Sequence, residues 1–279
     1  MKKINILLAA LLVIVLASCS QPENFRVMSF NLRNSGAAQE DGDNKWDNRR
    51  EAVVKLLNEE CPSIFGVQEA LPDQMQYLTE NLPDYIHYGL GRDDGKQEGE
   101  MMAIFYRHEL MDLEKCGTFW LSETPDSVSL GWDGACRRTC TWALLKLKKN
   151  GKQIMYLNTH LDHVGDTART EAIKLIVNKI SELGGADMPT FLTADFNSDT
   201  SAPRFDPLKA ALSDARAQSP QTDDRTTYNA WGKGEDSMID HIFFKNATPL
   251  RFAVLRDKDY GVPYVSDHYP VVFDCTLPE

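Results

Sequence analysis

Apolar runs of β-strand length recur along most of the chain, and segments with helical periodicity separate some of them. The clearest unit is a hairpin in which residues 139–148 and 153–161 are joined by a turn containing Asn150 and Gly151. Asn-Gly supplies the positive φ angles that a tight hairpin turn needs. Hairpins beside helix-linked strands predict a mixed α/β layered fold. This pattern leaves open whether the strands form one sheet or two.

The other predicted elements follow the same periodicities. Strands are predicted at residues 25–33, 63–69, 86–91, 101–107, 190–196, 238–245, 250–255 and 270–276, and helices at 46–59 and 73–82. A third helix is predicted to begin with Asp166 as its N-cap and to end at Gly184. Its apolar face consists of Ala172, Ile173, Ile176, Val177 and Ile180.

The first residues have the order of an export signal. Lys2 and Lys3 precede an apolar run, residues 6–17, that is too short to span a bilayer. The adjoining Leu16-Ala17-Ser18-Cys19 resembles the lipobox of bacterial lipoproteins. That resemblance implies a signal peptide over residues 1–18, a lipid on Cys19, and a tether over residues 19–24. It also implies a membrane-anchored protein of the cell envelope, at the outer membrane or the periplasmic face. The alternative is a plain secretory signal with a chance cysteine.

Charge and cysteine usage narrow the function classes. The formal net charge is −11, and no stripe rich in lysine or arginine is present. This counts against a nuclease that grips duplex DNA, although a local basic patch is compatible with a negative total. Of the six cysteines, five remain if Cys19 is lipidated, so at least one of them is unpaired. Their spacing contains no paired CxxC units of a zinc site.

Polar side chains recur where the predicted strands end. They are Asn31, Glu69, Glu100, His160, Asp195, Asn197, Asp240, Asp267 and His268. A single carboxylate in such a place is usually a turn former or a helix cap, whereas the whole set forms one coherent site. Hard oxygen ligands suit Mg²⁺ or Mn²⁺, amide and imidazole donors suit phosphate oxygens, and a nearby acid can activate water. Zinc hydrolysis is disfavoured, because His160 and His163 lack the required helical spacing.

The same residues resemble the endonuclease/exonuclease/phosphatase superfamily. The motifs that carry the resemblance are Asn31, Glu69, Asp195-x-Asn197, Asp240 and Ser266-Asp267-His268, in family order, and it covers roughly residues 26–276. The resemblance implies one catalytic domain over residues 25–279. It also implies a four-layer α/β sandwich, with two mixed, mostly antiparallel β-sheets packed face to face and helices outside. The active site is then expected at one edge of the sandwich.

The resemblance also implies a role for each residue. Glu69 is expected to be the main metal ligand, with Asn31 and Asp267 near the ion directly or through water. Asp195 is expected to align or deprotonate the attacking water, with support from Asn197. The residues expected to act on the phosphate oxygens are His268, paired with Asp240, and His160, paired with Glu100.

The sequence allows two interpretations of the role of each of three further residues. Arg138 is either a phosphate contact or a solvated charge at a strand end. Trp132 and Trp231 either line the substrate pocket or pack in the core, and packing is the simpler interpretation.

The leading functional hypothesis is a Mg²⁺- or Mn²⁺-dependent phosphoesterase. It would hydrolyse a phosphodiester or phosphomonoester by direct attack of water, since no nucleophile motif is present. The candidate substrates are phosphorylated sugars, inositol phosphates, lipid head groups and nucleic acid, and the protein is expected to be a monomer. One alternative is an extracellular nuclease. Another is an inactive lipid-anchored binding protein, which the intact residue set disfavours.

Overall fold

Two six-stranded sheets form the centre of the protein in a computed structural model, which describes residues 24–233 and 237–278. The predicted signal peptide and Cys19 lie outside these residues. The strands are β1 (Phe25–Asn31), β2 (Ile64–Ala70), β3 (Tyr85–Tyr88), β4 (Met101–Arg107), β5 (Met111–Trp120), β6 (Thr139–Leu147), β7 (Gln153–His160), β8 (Thr190–Asp195), β9 (Ser213–Asp214), β10 (Asp240–Lys245), β11 (Thr248–Val254) and β12 (Val271–Thr276). The first sheet has the order β11-β12-β1-β2-β4-β3, and the second has the order β5-β6-β7-β8-β10-β9.

Helices surround the two sheets. They are α1 (Ala38–Asp41), α2 (Trp46–Glu60), α3 (Pro72–Asn81), α4 (Asp166–Glu182), α5 (Asp206–Ala211) and α6 (Ala215–Gln218). The apolar sides of α2 and α3 pack on the first sheet, and those of α4 and α5 pack on the second. The predicted four-layer α/β sandwich is therefore confirmed. Within the described ranges, no helix has both the length and the apolar character that a membrane span requires.

The inner faces of the sheets enclose a mostly apolar core with one polar network in it. The amide of Gln68 donates to the Asn158 Oδ1 atom across the sheets at 2.7 Å, and the Asn158 amide donates to the Val67 carbonyl at 2.8 Å. Gly66 is required here, because a Cβ at this position would lie 2.4 Å from the Asn158 side chain. These hydrogen bonds satisfy buried polar groups and fix how the two sheets align beneath their common edge.

Two local predictions need correction. Strand β5 was not predicted, because it is an edge strand on which Asp112, Glu114 and Lys115 interrupt the apolar pattern. The predicted N-cap role of Asp166 is wrong, since this residue is already helical and Gly165 precedes the helix without a side-chain cap. The carboxylate of Asp133, from a distant loop, accepts hydrogen bonds from the backbone N–H groups of residues 167 and 168 instead.

Candidate active site

The arrangement of the central strands brings the predicted polar residues to one edge. Strands β1 and β2 are parallel, as are β7 and β8, so the carboxyl ends of each pair lie side by side. The first pair carries Asn31 and Glu69 to this edge, and the second carries His160 and Asp195. Strand β10 is antiparallel to β8 and begins there, with Asp240 opposite Asp195. The two sheets meet through the amide of Asn31, which donates to the Asp195 Oδ2 atom at 2.9 Å.

Glu69 is held as an anion by amide donors. Its Oε1 atom accepts from the Asn31 amide at 2.9 Å, and its Oε2 atom accepts from the backbone N–H and the amide of Asn34 at 3.2 and 3.0 Å. Burial alone would raise the pKa of Glu69, but the Asn31 hydrogen bond, the charge of His268 and the Asn34 donors together lower it. The backbone of Glu69 is left-handed, with a φ of 61°, a strained conformation that is concentrated at functional sites.

Asn31 links the two acidic residues and is oriented by its neighbour. The backbone N–H of Arg33 donates to the Asn31 Oδ1 atom at 2.9 Å, so the amide nitrogen faces the carboxylates of Glu69 and Asp195. In this orientation Asn31 offers no oxygen to an ion between those carboxylates. The geometry therefore favours an indirect role, in which Asn31 positions the two carboxylates.

Asp195 is nearly fully buried at the centre of the site. Its Oδ1 atom accepts from the Asn197 backbone N–H at 2.9 Å, and its Oδ2 atom lies 3.4 Å from the His160 Nε2 atom. Burial, followed by repulsion from Asp240, raises the pKa of Asp195 to about 7. A carboxylate that titrates near neutral pH is suited to accept a proton from water.

The predicted pairing of His268 with Asp240 is confirmed. The His268 Nδ1 atom lies 2.8 Å from the Asp240 Oδ2 atom, and the Nε2 atom lies 3.8 Å from the Asp195 Oδ2 atom. Burial would lower the pKa of His268, but the charges of Asp240 and Asp195 outweigh it and raise the pKa well above its usual value. This ring is therefore an imidazolium with its Nε2–H group directed toward the Asp195 carboxylate. Tyr228 contacts it edge-on, at 5.0 Å between ring centroids.

The predicted pairing of His160 with Glu100 is wrong. The turn that joins β3 to β4 places Arg92 opposite Glu100, and the Glu100 carboxylate accepts from the Arg92 Nη1 atom at 2.5 Å. The His160 Nδ1 atom has no hydrogen-bond partner among the described residues, and its Nε2 atom lies 2.9 Å from the Asn197 amide nitrogen. Burial and the charges of Arg138 and Arg92 hold the pKa of His160 well below its usual value. This ring is therefore neutral.

The donor set at this edge fits a hard divalent cation. Ligand atoms of Glu69, His160 and Asp195 lie within 4.8 Å of one another. Asp267 borders the same cleft, and burial and the charge of Glu69 raise its pKa despite the nearby His268. Crowded buried carboxylates repel one another, and a cation with oxygen ligands removes that repulsion. Glu69 and Asp267 are therefore the residues that would hold Mg²⁺ or Mn²⁺, and Asp195 lies beside them.

These side chains surround a cleft of about 550 Å³. Its lining comprises Arg33, Asn34, Glu69, Arg92, Glu100, Cys136, Arg138, His160, His163, Asp195, Asn197, Tyr228, Ser237, Ile239, Asp267 and His268. All of the predicted active-site residues line the cleft except Asn31 and Asp240. Asn31 is hydrogen-bonded to Glu69 and Asp195, and Asp240 is hydrogen-bonded to His268. The sequence prediction missed Asn34, Arg92 and Tyr228. The proximity of Asn34 to Asn31 is the one local signal that pointed to any of them.

Arg138 is buried in the wall of this cleft. Its side chain is only 6% exposed, so the interpretation as a solvated strand-end charge is wrong. The Arg138 Nη2 atom lies 3.1 Å from the His163 Nδ1 atom, and Nε forms an ion pair with the Asp162 Oδ2 atom at 3.6 Å. Among the described residues, Nη1 has no hydrogen-bond partner. A buried guanidinium with free donors is suited to bind an anionic group.

Neither tryptophan singled out in the sequence lines the cleft. Trp132 packs on the apolar cluster outside the second sheet. Trp231 lies over the guanidinium of Arg49, and its indole N–H donates to the Asp41 carboxylate at 3.2 Å. Packing against the core was therefore the correct interpretation for Trp132, whereas Trp231 is half-buried beside Arg49 and fits neither interpretation.

Comparison with known proteins identifies the family. The family model described as Endonuclease/Exonuclease/phosphatase family matches residues 28–268. The chain belongs to this family. The match spans the whole acidic centre, which consists of Asn31, Glu69, Asp195, Asp240, Asp267 and His268.

Similar proteins occur in bacteria and in a virus. An endonuclease/exonuclease/phosphatase of Bacteroides vulgatus shares 34% identity and a TM-score of 0.86, covering 92% of this chain and 100% of that chain. The mannosyl-6-phosphatase of Bacteroides thetaiotaomicron VPI-5482 shares 36% identity and a TM-score of 0.85, covering 91% of this chain and 100% of that chain. The uncharacterized protein L388 of Acanthamoeba polyphaga mimivirus is 28% identical, covering 82% of this chain and 91% of that protein.

Proposed function

We propose that this protein is a metal-dependent phosphomonoesterase that transfers the phosphoryl group directly to water. The observation that carries the proposal is the acidic centre, in which Asn31 bridges Glu69 and Asp195 beside the Asp240–His268 pair. Membership of the endonuclease/exonuclease/phosphatase family supports phosphoester hydrolysis. An inactive binding protein is disfavoured, because Glu69, Asp195 and His268 are all present and converge on one cleft.

Each residue of the centre has a task that its contacts allow. Asp195, which lies beside Glu69 and His160 at the centre of the site, would accept a proton from the attacking water. His268 donates from Nε2 to a phosphate oxygen, because its Nδ1–H is engaged by Asp240. Asn197 donates to His160 and to the Leu161 carbonyl, so its amide positions the histidine and is not free for phosphate. A divalent cation bound at Glu69 supplies positive charge for the transferring phosphoryl group.

The cationic wall of the cleft favours a terminal phosphate. Arg138 Nη1 and Arg92 Nε have no hydrogen-bond partner among the described residues, although Asp162 and Glu100 each form an ion pair with one of the two guanidinium groups. A phosphomonoester carries more negative charge than a diester and has one more non-bridging oxygen to accept these donors. The similarity to the mannosyl-6-phosphatase, at 36% identity, supports a sugar phosphate as substrate. The net charge of −11 continues to count against the nuclease alternative.

A substrate panel tests the proposed activity. Purified protein with Mg²⁺ or Mn²⁺ is assayed on hexose 6-phosphates, a chromogenic monoester, the matching chromogenic diester, phospholipid vesicles and duplex DNA. We expect the sugar monoesters to be hydrolysed with the highest kcat/KM. Tight binding and cleavage of duplex DNA, with a steep fall as salt increases, would instead make this protein a nuclease.

The monoester preference is expected to depend on Arg138. Arg138→Met should lower kcat/KM for the monoester roughly tenfold or more, since charge-assisted hydrogen bonds contribute about 1.5–3 kcal/mol, and should affect the diester less. Arg137→Met is the matched control, because its neighbouring guanidinium is 44% exposed and pairs with Asp93. Equal losses on monoester and diester would contradict this role for Arg138.

A lipid anchor on Cys19 and a place in the cell envelope remain part of the proposal. Phe25, where the tether would join the domain, is at the opposite end of β1 from Asn31. A strand of 7 residues spans about 23 Å, at roughly 3.3 Å per residue. The cleft therefore opens away from the anchored end, which favours a water-soluble substrate over a lipid head group of the same membrane.

Cell fractionation tests the anchor. We expect the wild type in the membrane fraction and Cys19→Ala in the soluble fraction, because a lipid is needed to hold a folded domain at the bilayer. Cys116→Ala serves as the control for cysteine replacement, since this residue is free in the structure. An equally soluble wild type would leave a plain secretory signal as the better interpretation.

A further inference from the structure

Arg49 donates hydrogen bonds to carbonyl groups of three separate segments near the sheet edge that carries Glu69 and Asp195. It lies in the first turn of α2, and only 1% of the residue is exposed. Its Nη1 atom donates to the carbonyls of Leu32 and Val265, at 2.5 and 3.0 Å. Its Nη2 atom donates to the Arg33 carbonyl at 2.6 Å, and its Nε atom donates to the Asn44 carbonyl at 2.9 Å.

Two of these segments carry the acidic centre. Leu32 and Arg33 stand between Asn31 and Asn34, whose amides hold the Glu69 carboxylate. Val265 directly precedes Ser266, and the Ser266 hydroxyl donates to the Asn31 carbonyl at 2.7 Å. Arg49 thus connects the segment that holds Glu69 to the segment that carries Asp267 and His268.

The faces of the guanidinium make a third connection. Its central carbon lies 5.2 Å from the Trp46 ring centroid and 5.5 Å from that of Trp231. Trp231 belongs to a turn in which the N–H groups of Asn229 and Ala230 donate to the Asp267 carbonyl, at 2.8 and 3.2 Å. Stacking on Arg49 therefore also restrains the backbone of Asp267.

We propose that Arg49 is a positioning residue for the reaction, which sets the separation of Glu69 and Asp267 through the backbone of Leu32, Arg33 and Val265. The inference rests on the proposed metal-dependent hydrolysis. Burying a charged group that has no close carboxylate partner is costly, and four hydrogen bonds to carbonyls offset that cost. The planar guanidinium group is required for these hydrogen bonds, because lysine has only three donors on a single atom and cannot reach the same carbonyls.

Replacement of Arg49 is expected to weaken metal binding separately from folding. Loss of groups that orient metal ligands commonly costs 10- to 100-fold in affinity or activity. We expect Arg49→Ala and Arg49→Lys to bind Mn²⁺ at least about tenfold more weakly in calorimetry, and to lose kcat more than KM. Added guanidinium ion should restore part of the affinity and of kcat in Arg49→Ala, and should have no such effect on the wild type.

The control is a second buried arginine, at the far end of the sheet. Arg107 ends β4 opposite Ser63 and Ile64, away from the edge that carries Glu69, and is also 1% exposed. Arg107→Met should lower the melting temperature without a change in Mn²⁺ affinity. If Arg49→Ala does not fold, Trp231→Leu provides the test, because this partly exposed ring can be removed without opening the core. We expect Trp231→Leu to bind Mn²⁺ more weakly than the wild type.

The outcomes separate this inference from the proposed function. Wild-type Mn²⁺ affinity and wild-type kcat in folded Arg49 variants, or in Trp231→Leu, would overturn the positioning role and leave the proposed hydrolysis intact. A wild type that neither binds Mn²⁺ nor hydrolyses any phosphoester would overturn both.

Discussion

Glu69→Ala is expected to fold like the wild type and to lose activity by on the order of a hundredfold or more, the usual effect of removing preorganised charge stabilisation. The loss follows because Glu69 is the carboxylate that both Asn31 and Asn34 hold in its ionised form. Folding should persist, since removing one of several crowded carboxylates relieves repulsion with Asp267. That relief offsets only part of the cost of leaving the donors of Asn31 and Asn34 without a partner, so a modest loss of stability is expected.

Activity and metal binding should be measured together on this variant. Chelator should silence the wild type until Mg²⁺ or Mn²⁺ is restored, and Glu69→Ala should show neither activity nor high-affinity Mn²⁺ binding. Glu69→Gln is the matched variant, because it keeps the shape and one acceptor oxygen but loses the charge. Full activity of the wild type in excess chelator, or of Glu69→Ala in Mg²⁺, would remove the basis of the mechanism.

Asp195→Asn is expected to bind the metal and yet be nearly inactive. An amide cannot accept the proton of the attacking water, and general-base catalysis typically contributes about 10²–10⁴-fold. The cation would still have Glu69 and Asp267. A modest loss of stability is expected as well, because the two Asp195 oxygens accept from Asn31 and Asn197, and the amide has one oxygen. Retained turnover with tight Mn²⁺ binding would show that another group activates the water.

The raised pKa of Asp195 gives this variant a second readout. With a pKa of about 7 in the metal-free protein, Asp195 is partly protonated at pH 6.5, and a bound cation favours the carboxylate. Metal binding at that pH should therefore release protons, and its affinity should increase as the pH rises through 7. Calorimetry in buffers of different ionisation enthalpy should detect a smaller proton release from Asp195→Asn. Equal release from both proteins would assign the protons to other groups.

The strands were predicted well where their pattern is strong. Strand β4 has the predicted bounds, and the hairpin of β6 and β7 is correct, because the alternation of apolar residues and the Asn150-Gly151 turn are local signals. Strand β5 was missed, because an edge strand with one exposed side carries little apolar signal. The division into two sheets came from the resemblance, since hydrophobic period alone does not distinguish one sheet from two.

The acidic centre was predicted from residue types and their order. Glu69, Asp195 and His268 converge as expected, because strand ends that carry them meet at one edge. The pair of Asp240 with His268 was also correct. Asp240 begins β10 and His268 lies shortly before β12, and the packing of the two sheets brings them together.

Contacts between distant segments decided the rest of the site. Glu100 accepts a hydrogen bond from Arg92 and not from His160, because the loop between β3 and β4 places the Arg92 guanidinium beside it. His160 is neutral, because burial beside Arg138 and Arg92 disfavours a further charge. The support of Asp267 by Arg49 likewise depends on carbonyl groups that every residue has and that no pattern of side chains reveals. Local sequence specifies strands, turns and candidate ligands, whereas hydrogen-bond partners and charge states depend on distances that exist only once the two sheets have packed.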